Sequence, residues 1–244
     1  MTDTTSRAAM LEQLAALGPF FTVQEHTADS APIPPWHSMS ELAEDPDVLH
    51  DRVTETQAYL AAAGGQSPDA IEARVAASVT HLGLVARLIS PALALAVLGA
   101  AVPSLALEDL RWQPVLGGAF PLSLPWGPSI GSKGPQDLSI GLFEGPIPVI
   151  GEATRPFAVS EHILWGNVAS AVNGAATAIT NAAPHLAERT AHLAALLLAA
   201  PALRDTHTTF AETGRFRRRS CCLIYRAAPD HAGPLCGDCA LNQH

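Results

Sequence analysis

All four cysteines of this chain lie near its C-terminus: Cys221 and Cys222 are adjacent, thirteen residues follow, and Cys236 and Cys239 close a C-G-D-C turn. Thiols gathered this closely constrain the local fold more than any other feature, because they must be bridged, hold a metal or carry redox chemistry. The opening residues, MTDTTSRAAMLEQL, contain acidic side chains and no long apolar core, so they do not read as a secretory signal, and a cytoplasmic location is expected. Structural disulfides rarely persist there, which leaves metal ligation or redox activity. Four-thiolate zinc usually takes two C-x2-C hairpins. Only Cys236 and Cys239 have that spacing, and adjacent side chains on an extended strand point to opposite faces. A 2Fe-2S cluster has two metal centres and usually four cysteine ligands, so it can take one pair at each iron if the backbone turns at Cys221 and Cys222. The spacing is that of neither plant-type nor bacterial ferredoxins. On pattern alone an iron-sulfur cluster, zinc and a thiol-disulfide pair at Cys236 and Cys239 all stay open.

Immediately upstream stand Arg215, Arg217, Arg218 and Arg219, a local anomaly in a chain of net charge -9. The acidic balance argues against nucleic acid or an anionic membrane surface as partner. Positive charge beside a metal site favours thiolates, raises a cluster's reduction potential and attracts an acidic donor or an anionic complex. With 244 residues, 48% hydrophobic and 15% charged, the chain is long enough for a substantial core and has the composition of a helical globular protein. From Leu88 to Leu107 no residue is charged. Pro91, Gly99 and Pro103 interrupt that run, so it reads as a buried core helix and no membrane span is expected.

Helices are expected over 6–17 and from Pro46 to Ala63, stopped by Gly64 and Gly65. A third starts at Ser67-Pro68, with Ile71, Val75, Ser78, Leu82, Val85 and Ile89 along one face, and is kinked or ended at Pro91. Between Trp112 and Gly151, eight glycines and seven prolines exclude long helices. Runs at 110–116, 120–124, 138–143 and 148–150 suit short antiparallel strands. Helix returns at Ser160, runs to about Asn181, and is followed by a last helix over 186–203. The expected fold class is therefore α+β and predominantly helical, with a helical body, a small antiparallel β region in the middle and a C-terminal cysteine segment. The expected divisions are 1–66, 67–212 and 213–244, forming one compact unit. No G-x-G-x-x-G follows a strand and no phosphate-binding lysine loop is present, so neither nicotinamide nor flavin is expected on this chain.

The R-R-x-C-C-x-x-Y-R…C-G-D-C segment, which includes Tyr225 and Arg226, resembles the C-terminal cluster motif of FhuF-like ferric-siderophore reductases. Residues 74–93, 110–124 and 164–175 resemble the body of actinobacterial members. The family usually has about ten residues between its cysteine pairs; three more change loop-closure entropy little. The resemblance implies a cytoplasmic oxidoreductase whose 2Fe-2S cluster is held by Cys221, Cys222, Cys236 and Cys239. It implies one electron passing from a ferredoxin-like or flavin-containing donor to a ferric siderophore, a hydroxamate by expectation. Candidate substrate contacts are Arg217, Arg218, Arg219 and Trp165, and His81 and His162 are further candidates whose plainer reading is structural. The alternatives are an iron-sulfur redox or iron sensor without enzymatic activity, and a zinc-stabilised siderophore-binding module.

Overall fold

Helix dominates, as the alanine- and leucine-rich composition leads one to expect. The computed structural model describes residues 2–28, 30–126, 135–210 and 214–242. Its helices are α1 (Thr2–Ala16), α2 (Glu41–Glu44), α3 (Pro46–Ala63), α4 (Ala73–Leu98), α5 (Pro135–Phe143), α6 (Pro146–Thr154), α7 (Glu161–Ala182) and α8 (Ala187–Leu198). The strands are β1 (Gln24–Thr27), β2 (His37–Ser38), β3 (Arg111–Trp112), β4 (Leu122–Trp126), β5 (His207–Thr209) and β6 (Phe216–Arg218). This is a predominantly helical α+β fold.

The axis of the molecule is α4, packed between α3 and α7. Leu84, Leu88, Ile89 and Leu93 are buried on it, within a core that draws side chains from Leu14 to Phe216. Among the described residues it is the one helix long and apolar enough to cross a membrane, and most of it is buried inside the protein. The helix does not end at Pro91 but continues to Leu98 and stops at Gly99, whose φ of 79° supplies the left-handed turn a helix end favours. Pro91 withholds the amide that Arg87 O would receive, at a cost of about 3 kcal/mol in an exposed helix. Here Ile89, Ala92 and Leu93 beside it are completely buried, and that packing outweighs the break.

Local start signals behave as expected on the flanking helices. Asp45 caps α3 by accepting from the Asp47 amide at 3.1 Å, with Pro46 at the first helical position. Ser160 caps α7 by accepting from the Ile163 amide at 3.4 Å. Ser67 does not cap α4: Pro68–Ala70 form a separate turn of 3-10 helix, and α4 begins at Ala73. The expected last helix also shortens, since α8 ends at Leu198 and Pro201–Leu203 form another 3-10 turn.

The middle of the chain departs further from expectation. The strands expected at 138–143 and 148–150 are helical, forming α5 and α6. Pro135 and Pro146 open these helices, where a missing N–H costs nothing, so prolines that read as breakers act as starts. The turns expected at 127–134 lie outside the described residues. The sheet is mixed rather than antiparallel throughout, in the order β1-β4-β3-β2, with β1 parallel to β4 in the register Gln24↔Ser123. One of its strands, β1, lies in the proline-rich stretch 22–36, and β2 follows directly after it.

Candidate metal centre

The C-terminal segment reaches the helical body through an antiparallel pair, β5 and β6, with His207 opposite Arg218. From Arg218 the chain crosses α7 at Gly166. A Cβ on that glycine would lie 2.1 Å from Ser220 Oγ and 3.2 Å from Arg218 Nη2, so a hydrogen there is what lets the segment approach the helix. Polar tethers then fix both cysteine pairs. Ser78 Oγ on α4 donates to Cys222 O at 2.9 Å, and Gln66 Nε2 donates to Ala227 O at 2.8 Å. Arg226 pairs with Glu72 at the start of α4 at 2.5 Å. On the other side the Asp238 carboxylate accepts from Ser170 Oγ at 2.7 Å and Asn173 Nδ2 at 3.1 Å, both on α7. The Arg218 amide donates to Asp238 O at 3.0 Å, joining the approach strand to the C-G-D-C turn.

These tethers bring the two cysteine pairs together. Cys222 and Cys239 are buried, Cys221 and Cys236 half-buried, and all four are free thiols. Cys222 Sγ lies 3.5 Å from Cys236 Sγ. The vicinal pair does not sit on an extended strand, because Leu223, at φ 70°, turns the chain directly after it. That turn aims the Leu223 amide back at Cys221 Sγ at 3.3 Å, and the Leu241 amide approaches Cys239 Sγ in the same way at 3.4 Å. Hydrogen bonds from the backbone to sulfur favour the thiolate form. The hydrogen bond between Cys222 and Cys236 draws the Cys222 thiol down from its usual range, and the same bond, with burial, pushes Cys236 up. Burial also raises Cys221.

Among the described residues no group of three or more His, Cys, Asp or Glu side chains is arranged to hold a single metal ion. The donor chemistry nevertheless fits an anionic, thiolate-bound group. Arg218 is 2% exposed, and its charge acts on Cys221, Cys222 and Cys236. Among the described residues its Nε and Nη1 have no hydrogen-bond partner. Four free thiols, two backbone donors to sulfur and a buried guanidinium with two open nitrogens suit a metal group that is anionic once its thiolates are counted.

Residues 218–241 match the FhuF 2Fe-2S C-terminal domain. The match covers the cysteine segment from Arg218 onward and leaves the helical body outside it. No characterised protein and no solved structure matches the chain as a whole. All four cysteines lie inside the matched residues, together with Tyr225 and Arg226. The Tyr225 carbonyl accepts from the Gly233 amide at 2.9 Å, folding the thirteen-residue gap back on itself. Arg226 anchors the segment to α4 as described above.

The arginines expected to contact substrate divide between surface and interior. Arg219 is exposed, with Nε on Thr208 Oγ1 at 3.2 Å and a loose pair to Asp205 at 3.8 Å. Arg217 is half-buried, lies 4.8 Å over the Phe210 ring and donates to Asn242 O at 3.3 Å. Arg218 points inward, because β6 alternates and its side chain falls on the face covered by α7. Trp165 packs edge-on against Phe143 and donates to Glu161. It shares the lining of a cavity of about 110 Å³ with His81. His162 is exposed. Sequence reasoning gave no role to Gly166 and Asn167, which follow Trp165 in the 164–175 stretch. It also missed Ser78, Ser170, Asn173 and Asp238. The signal available for the first two was a Gly-Asn step inside an otherwise apolar helix.

Proposed function

We propose that this protein is an iron-sulfur ferric-siderophore reductase, with Cys221, Cys222, Cys236 and Cys239 as the ligands of a 2Fe-2S cluster. The observation that carries the reading is a coincidence of two independent facts. The residues that match the FhuF 2Fe-2S domain are those in which one thiol of each cysteine pair, Cys222 and Cys236, comes within 3.5 Å of the other, in a segment that carries a buried guanidinium with two unpartnered nitrogens. When bound there, a 2Fe-2S cluster accepts and gives up one electron at a time.

The chain's own residues supply the rest. Ser78, Gln66 and Arg226 hold the first cysteine pair against α4, and Ser170 and Asn173 hold the second against α7 through Asp238. The Leu223 and Leu241 amides point at sulfur. An open recess of about 410 Å³ abuts the site, walled by Cys236, Gly237 and Asp238 on one side and by Phe20, Leu82 and Ala178 on another. Its volume lies in the range of small-molecule sites, and its wall includes a proposed ligand, so it is where we place the ferric complex. The balance is one electron: a reduced ferredoxin-like or flavin-containing protein is oxidised by one electron, and the ferric ion of the complex becomes ferrous. Hydroxamate oxygens hold ferrous iron far less well than ferric, so the metal is released. Free thiols of this kind suit the reducing cytoplasm.

The test is direct. Cluster-loaded protein is reduced chemically without oxygen and mixed with a ferric trishydroxamate and a chromogenic ferrous chelator. The expected result is reoxidation of the protein in step with one ferrous ion trapped per electron. Reduced protein that stays reduced in the presence of every ferric hydroxamate offered contradicts the reading.

A further inference from the structure

Arg218 is the most deeply buried of the four arginines in the run, and its surroundings are built to hold it. Nη2 donates to Asn167 Oδ1 at 2.6 Å and to Ile163 O at 3.4 Å, both on α7. Asn167 is completely buried. Its amide is oriented from the far side: Nδ2 donates to Ser78 O at 3.0 Å and approaches His81 Nδ1 at 3.4 Å, which leaves Oδ1 for the guanidinium. His81 is itself buried and stays a neutral acceptor, since burial and the nearby Arg218 charge push it down to about 3. The chain His81–Asn167–Arg218 therefore carries a single positive charge, at its Arg218 end.

Among the described residues that charge has no counter-ion: no carboxylate forms an ion pair with Arg218, and the nearby Asp238 carboxylate is directed to Ser170 and Asn173 instead. Removing a guanidinium from water without an anion costs several kcal/mol, so a fold that keeps it buried has its compensation elsewhere. Arg218 stands three residues before Cys221, and its backbone amide donates to Asp238 O at 3.0 Å, inside the turn that carries Cys236 and Cys239, so both cysteine pairs flank it.

We propose that Arg218 is the built-in counter-cation of the thiol site and that Asn167 is its positioning residue, together favouring an anionic thiolate-bound cluster and its one-electron reduction. The proposal rests on the iron-sulfur reading and deepens it, separating one buried arginine from the half-buried Arg217 and the exposed Arg219. A charge held in the interior is screened far less than one at the surface, so the neighbours cannot substitute for it.

The experiment is a redox titration of the cluster-loaded protein followed by visible absorption and electron paramagnetic resonance, with far-ultraviolet circular dichroism as the check on folding. Arg218→Gln is expected to lower the midpoint potential, Arg218→Lys to keep most of the wild-type value, and Arg219→Gln to shift it less than Arg218→Gln. Asn167→Asp puts a carboxylate against the guanidinium in nearly the same volume and is expected to lower the potential in the same direction. It reads the same charge should Arg218→Gln fail to fold. A folded Arg218→Gln that no longer takes up iron, where Arg218→Lys does, also supports the proposal. Wild-type potentials in both Arg218→Gln and Asn167→Asp overturn it, as does equal loss of loading in the Gln and Lys variants. Wild-type protein without a 2Fe-2S spectrum rejects instead the reading on which the proposal rests.

Discussion

Two buried arginines mark the contrast between the helical body and the C-terminal segment. Arg87, at the centre of α4, is 2% exposed and donates from Nε to Phe120 O at 2.8 Å, from Nη1 to Phe20 O at 2.8 Å and from Nη2 to Thr22 O. All three nitrogens are satisfied by loops leading into the sheet, and burial lowers its affinity for the proton to a pKa of about 10. Arg218 is equally buried, yet among the described residues only its Nη2 has a partner. The body is not free of such atoms, since Arg52 Nη1, His81 Nε2 and Thr190 Oγ1 also lack a partner there, but its central guanidinium is satisfied on every nitrogen. The C-terminal segment is held by polar tethers and leaves two nitrogens of its buried guanidinium without a partner.

The sharpest way to break this comparison is to damage each region separately. Arg87→Met takes the donor from one buried and two part-buried carbonyl contacts, an expected loss on the order of 3–5 kcal/mol. It should lower the denaturation midpoint of metal-free and metal-loaded protein alike. Cys222→Ala should do the opposite, abolishing visible absorption while the cluster-free protein keeps its helical spectrum and melts within a few degrees of wild type. An unfolded Cys222→Ala protein would show that the two regions are one cooperative unit and that the contrast is false. Gly166→Ala is intermediate. Its methyl must displace Ser220, overpacking costs about 1–3 kcal/mol, and iron loading should fall more than helix content does. Ser78→Ala sharpens the comparison at the smallest scale. Loss of its bond to Cys222 O is expected to cost about 1 kcal/mol, or roughly 2–4 °C in the melting midpoint of a chain this size, with the cluster retained but lost faster to a chelator.

How much of this could be read beforehand follows the range of the interactions involved. Pro46 and Gly64 bound α3 as expected and Ser160 opens α7, because caps and breaks act within a few residues. Pro135 and Pro146 misled because a proline's local meaning is double, ending one helix or starting another, and the choice lies in what the next turn packs against. The parallel pairing of β1 with β4 joins residues about a hundred apart, and nothing within Gln24–Thr27 announces it. At the site, the four cysteines were visible as a pattern, and their gathering needed only a short loop to close. Arg218's burial was not visible. It depends on Gly166 and Asn167, about fifty residues upstream, and four arginines in five positions read as a solvated patch until the helix that covers one of them is in place.

The central claim is that the four thiols at the end of this chain share one pair of irons. Anaerobically purified protein, assayed for iron and acid-labile sulfide beside its visible spectrum, measures that directly. The account predicts a red-brown protein with about two irons and two sulfides per chain. A colourless protein holding one zinc ion on the same cysteines would contradict it.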